Sequence, residues 1–142
     1  MGKRKVTTRP SANLDLVRAI LAAHERGDYS SADWADPDIE YVIADGPEPV
    51  VCRGRAAMAK AWGDVLSAYI DHRMVVEEIR EIDEERVLVL ASFGGRGKAS
   101  GIDAWAGTKP GVTLYQVRNG RVIRHTVYMD RDRAFADLGL EE

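Results

Sequence analysis

Asn119-Gly120 sits between two runs in which apolar and polar residues alternate, VTLYQVR and RVIRHTVYM. A turn this tight needs residues that tolerate positive φ, and Asn-Gly is the strongest short signal for it. One antiparallel hairpin is therefore fixed near the end of the chain, and the upstream segments extend it. HRMVVEEIREI and RVLVLASF also read as strands and flank Asp83-Glu84-Glu85, which reads as a second turn. A further strand is expected from about Ile102 to Val117, interrupted at Thr108-Lys109-Pro110-Gly111. The glycine-rich GGRGKASG, residues 94–101, reads as a bulged connection rather than a phosphate cradle, because it joins two strands and leads into no helix. Residues His72 to Met129 thus form a four-strand antiparallel meander.

Helical periodicity comes before and after it. Leu14, Val17, Ile20, Leu21 and His24 fall on one face of a helix that Ser11 or Asn13 can cap and Gly27 can end. A short helix is expected around Ser30–Trp34, then a turn at Asp36-Pro37 and a strand from about Asp38 to Ala44. Residues 55–70 form a second long helix with the stripe Met58, Trp62, Val65, Leu66 and Tyr69, and Asp130 caps a terminal helix stopped by Gly139. Helices followed by a run of strands indicate an α+β domain, not a doubly wound parallel sheet. A long bent meander with two amphipathic helices on one side makes a cone with a dead-end cavity between helices and sheet.

The 142 residues suit one domain, read here as residues 11–142 behind a flexible basic arm, residues 1–10. A net charge of −3 gives nucleic-acid binding no global support, and no apolar run is long enough to span a bilayer or form a signal peptide. Neither nucleic acid nor membrane is an expected partner. The single cysteine, Cys52, excludes an intrachain disulfide and fits a reducing cytoplasm. The three histidines, His24, His72 and His125, lie on different elements without ligand spacing, so no metal is expected.

ERGD at the end of the first helix, DPDIEY entering the first strand, RGR opening the long helix and VRNGRVIRHTVYMDRDRAFADLGL at residues 117–140 are collinear spellings. Together they resemble the nuclear transport factor 2-like (NTF2-like) superfamily and its SnoaL-like polyketide-cyclase branch, over nearly all of residues 12–140. The resemblance implies a cone-shaped α+β barrel, cystatin-like in outline, whose curved, mostly antiparallel sheet wraps the N-terminal helices around a deep pocket. It does not choose a chemistry, because the superfamily spans isomerases, cyclases, dehydratases, epoxide hydrolases and non-catalytic adaptors. Related domains commonly pair through the outer sheet face. A homodimer is therefore expected there, with Val122, Arg124, Thr126 and Tyr128 in the contact.

Asp45 continues the inward parity of Ile39, Tyr41 and Ile43, which is unusual for a carboxylate. It lies nine residues before Gly54, the spacing of the proton-shuttling aspartate in ketosteroid isomerases, which the segment resembles; it can equally cap its own Asp-Gly turn. The other isomerase groups are missing: the helix tyrosine position carries Ile20, and the strand acid position carries Thr113 or Leu114. Where the resembled cyclases place an acid–base aspartate, this chain has Val127. His125, two residues earlier on the same strand, could serve general acid–base work or be a hydrogen-bonded core residue. An epoxide-hydrolase set from Arg96, Asp103 and Asp45 is incomplete, and no spacing demands a dehydratase set from His24, His125 and Tyr41.

The expected catalytic candidates are thus Asp45, His125 and Tyr115, performing cofactor-free isomerisation, cyclisation or dehydration of an apolar or aromatic carbonyl compound. Trp34, Tyr41, Trp62, Tyr69, Phe93, Trp105, Val127 and Met129 are the expected pocket lining. The alternative is a ligand-binding or adaptor domain that keeps the cavity without chemistry.

Overall fold

The structure is a computed structural model, which describes residues 11–45, 47–68, 70–97 and 111–141. The basic arm, Tyr69, Lys98, Asp103 and Trp105 lie outside the described residues. Helix α1 spans Ala12–Glu25; its first turn is capped by Ser11, whose Oγ accepts from the Leu14 N–H. The strands are β1, Ala35–Ile43; β2, Val50–Arg53; β3, Arg73–Glu81; β4, Arg86–Gly94; β5, Gly111–Arg118; and β6, Arg121–Tyr128. Helix α2, Arg55–Leu66, follows β2, and α3, Arg131–Leu138, ends the fold between the Asp130 cap and left-handed Gly139.

The sheet runs β2-β1-β6-β5-β4-β3 with two free edges, so it is open and does not close into a barrel. Every pairing is antiparallel except β1 with β6, which are parallel and make the sheet mixed. The β5–β6 hairpin turns at Asn119 and Gly120 with φ of 54° and 77°, the conformation that Asn-Gly adopts at low cost. Two packed layers flank the sheet. On the inner face, Val17, Ile20 and Leu21 of α1 and Met58 of α2 meet Ile39, Tyr41, Val87, Val89, Tyr115 and Val117. On the outer face, Ala134 and Phe135 of α3 cover Leu88, Leu90, Val112 and Tyr128.

Several local expectations change. The segment 30–34 is a turn: Asp28 takes the Ser30 N–H and hydroxyl, and the Trp34 indole donates to Ser31 O, so local side-chain bonds displace a helix. Residues 50–53, between the expected first strand and the long helix, pair with β1 as an edge strand. The terminal hairpin slips between Gln116 and Val117, leaving Ile123 as the extra residue. That bulge turns Val122 to the inner face, where it is fully buried, instead of the outer face. Thr126 and Tyr128 are also buried, so of the four residues expected on the outer contact face Arg124 alone is exposed. Among the described residues no helix is long and apolar enough to cross a membrane.

Candidate functional site

One register row crosses the inner face from Cys52 through Tyr41, His125 and Tyr115 to Val87. Cross-strand neighbours on one face stand close enough for rings to touch, and here they do. The His125 imidazole stacks on Tyr115 with centroids 4.5 Å apart and lies 5.3 Å from Tyr41. From α2, Trp62 meets His125 edge-on at 5.7 Å, and Trp34 stacks on Trp62 at 5.8 Å. The Trp62 ring also touches His24 of α1 at 5.0 Å and Tyr29 at 5.8 Å. Tyr29 stacks on His24 at 4.5 Å and reaches His72 at 5.8 Å, which in turn contacts Phe93 at 4.3 Å. The deep end of the cone is therefore packed with rings, and Trp62 touches five of them.

Burial decides the protonation of this nest. His125 is 5% exposed, and loss of hydration, with a smaller push from His24, lowers its pKa to about 3. Burial likewise lowers His24 to about 4, against an opposing pull from Asp28. Both imidazoles are neutral at pH 7. Burial pushes the Tyr29 hydroxyl up to about 12 and raises Tyr115 and Tyr41, the last opposed by a hydrogen bond from Trp62. Two buried polar atoms in this region, His125 Nδ1 and Tyr29 Oη, have no hydrogen-bond partner among the described residues. Each such orphan costs about 1–3 kcal/mol and points to a missing partner or a functional role.

Asp45 lies beyond the nest. Its carboxylate accepts the Met129 N–H at 2.8 Å and the Asp130 N–H at 2.5 Å, tying the end of β1 to the start of α3. Counted along the strand from the Tyr41 row, it is ~13 Å from His125 at the usual rise per residue. His125 and Tyr115 are brought together; Asp45 is not brought to them. Trp34, Tyr41 and Trp62 lie in the nest, and Phe93, 41% exposed, lies on its rim. Val127 pairs with Ile43 in the next row, where Ile43, Thr113 and Val127 are part-exposed and form an accessible floor. Met129 is 70% exposed at the edge of that floor. Tyr69 and Trp105 fall outside the described residues. Among the described residues no three His, Cys, Asp or Glu side chains converge as metal ligands.

The sequence reading passed over Tyr29. Its signal was a lone aromatic in the polar segment GDYSS directly after a helix stop.

A family model for the SnoaL-like domain matches residues 17–125. No curated protein matches the sequence. Among solved structures, an NTF2-like protein of unknown function from Burkholderia pseudomallei is 20% identical with a TM-score of 0.71, over 89% of this chain and 97% of that one. A protein from Xanthomonas campestris pv. campestris, described as a candidate polyketide cyclase, is 22% identical with a TM-score of 0.64, over 88% and 95%. Bal32a, from a soil-derived mobile gene cassette, is 18% identical with a TM-score of 0.68, over 82% and 87%. At these identities the likeness shows the fold alone.

Proposed function

The chain belongs to the SnoaL-like domain family, and from that premise we propose that it binds a small, flat, largely apolar molecule on the inner face of its sheet, with His125 as the polar anchor. The observation that carries this reading is the unpartnered Nδ1 of a buried, neutral imidazole among aromatic rings. Sites for small molecules combine apolar lining with few polar groups, and a lone polar atom left unsatisfied in the free protein gains most from a ligand that pairs with it. Melting the protein with and without a naphthol tests the reading. A rise in midpoint that His125→Phe abolishes supports it; no rise with any flat neutral aromatic compound sinks it.

A second reading is cofactor-free isomerisation, cyclisation or dehydration of a carbonyl compound, using Asp45, His125 and Tyr115. Its support is the same neutral imidazole, which can donate to a carbonyl oxygen as negative charge develops there. An imidazole with a pKa of about 3 is a weak base, so the carboxylate would have to remove the proton. Asp45 would first have to leave the two backbone N–H groups it holds, and its distance from His125 prevents both from serving one carbon. The geometry therefore favours binding. Deuterium exchange next to the carbonyl of an aryl ketone, seen with the protein and lost in Asp45→Asn, would reverse that preference.

A further inference from the structure

The inner face of the sheet opens row by row. In the row of Tyr41, His125, Tyr115 and Val87 every residue is buried. In the next row, Ile43, Val127, Thr113 and Val89, only Val89 is buried. One row further Gly111 pairs with Ala91, so β5 and β4 carry nothing larger than a methyl group there. The inward positions of β5 thus run Val117, Tyr115, Thr113, Gly111, from closely packed side chains to bare backbone.

Polarity singles out one residue of the accessible row. Thr113 is part-exposed and has its only hydrogen-bonding side chain; Ile43, Val127 and Val89 are hydrocarbon. The acid at this end of the face, Asp45, is already committed to the Met129 and Asp130 N–H groups. Register fixes where Thr113 stands relative to the polar anchor. It pairs with Val127 while Tyr115 pairs with His125, which makes Thr113 and His125 diagonal neighbours on one face. Such neighbours are about 7–8 Å apart, within reach of one small molecule.

Resting on the binding reading, we infer that Thr113 is a specificity-determining residue of the same site: its hydroxyl pairs with a second hydrogen-bonding group of the ligand. The protein then selects flat apolar molecules with one polar group toward His125 and another over Thr113, their apolar body lying on Ile43 and Val127. A ligand seated on this row strips water from the threonine. With a second polar group the lost hydrogen bond is remade; without one the hydroxyl is left unpaired beneath the ring, and affinity falls.

Calorimetric titration of naphthol and of naphthalenediols whose second hydroxyl steps around the far ring tests this at neutral pH. One neutral hydrogen bond makes at least one diol roughly threefold to tenfold tighter than naphthol. In Thr113→Val, which keeps the branched shape and loses the hydroxyl, that ratio drops to about one, and Thr113→Ser preserves it. A merely structural threonine would move the melting midpoint in these variants and leave the ratio untouched, which overturns the inference. A parent protein that prefers none of the diols overturns it too, with no variant needed. In either case naphthol binding that still needs His125 leaves the broader reading standing, whereas no binding by any probe removes both.

Discussion

Acidification from pH 7 to pH 5 should destabilise the protein by about 4 kcal/mol, through two buried histidines. His24 and His125 are 6% and 5% exposed, and burial holds their folded pKa values at about 4 and about 3, against 6.5 for a free imidazole. Between pH 6.5 and those values the unfolded chain takes up a proton at each site and the folded chain does not. Their contribution is therefore complete above pH 6.5 and is lost as pH falls, by about 1.4 kcal/mol per pH unit for each histidine. At pH 5 that amounts to about 2 kcal/mol each. The His72 pKa is lowered by burial as well, and adds in the same direction. Asp28, Asp83 and Glu85 also have lowered values, but carboxylates lose their contribution only below their unfolded pKa of about 4. The interval from pH 7 to 5 thus belongs to the histidines. For a domain expected to have about 5–15 kcal/mol of stability the loss is large. Urea unfolding followed by circular dichroism at fixed ionic strength measures it, and His125→Phe should remove about half of the pH dependence. Stability that is flat to within about 0.5 kcal/mol from pH 7 to 5, or a His125→Phe slope equal to the parent's, refutes the reasoning.

Four further substitutions probe the frame around the site. Asp45→Ala deletes two charge-assisted hydrogen bonds between β1 and α3 and should cost about 2–3 kcal/mol in a urea melt, while naphthol affinity stays within about twofold. Gly95→Ala should cost more than about 2 kcal/mol and lower the yield of folded protein, because its Cβ would stand 2.4 Å from Asp71 O, a backbone atom. Gly63→Ala, in the interior of α2 with nothing within 4 Å of the new Cβ, should raise stability by about 0.8–1 kcal/mol. The family resemblance implies a homodimer through the outer face, where Glu40 bridges Arg53 and Arg124; sedimentation at micromolar concentration tests it, with dimers that Glu40→Arg disrupts as the expected result and monomer alone as the refuting one.

Local rules carried most of the fold. The Ser11 and Asp130 caps, left-handed Gly139 and the Asn119-Gly120 turn are dictated within a few residues, and all are formed. Alternating or continuous apolar runs likewise located β3, β4 and β6. What could not be read depends on partners distant in sequence. The strand β2 has four residues with Val50 and Val51 exposed, so only its pairing with β1 makes it a strand. The parallel contact of β1 with β6 joins segments more than eighty residues apart and is reinforced by Asp45 reaching Met129 and Asp130. Parity placed Asp45 on the inner face but could not say that two backbone donors would hold it. The inserted Ile123 reversed the expected side of Val122, as a one-residue slip must. At the site, strand parity brought His125, Tyr41 and Tyr115 to one face, whereas Tyr29 sits on a connection without a period and meets the nest through His24 and Trp62.

The binding claim is tested most directly at His125 itself. Long-range nitrogen–proton correlation spectra of the histidine rings, recorded while a neutral naphthol is titrated to saturation, report the hydrogen bonding of each ring nitrogen. The account predicts a saturable shift of the His125 Nδ1 signal with the ring still neutral at pH 7. Saturable binding that leaves the His125 nitrogens unmoved would contradict it.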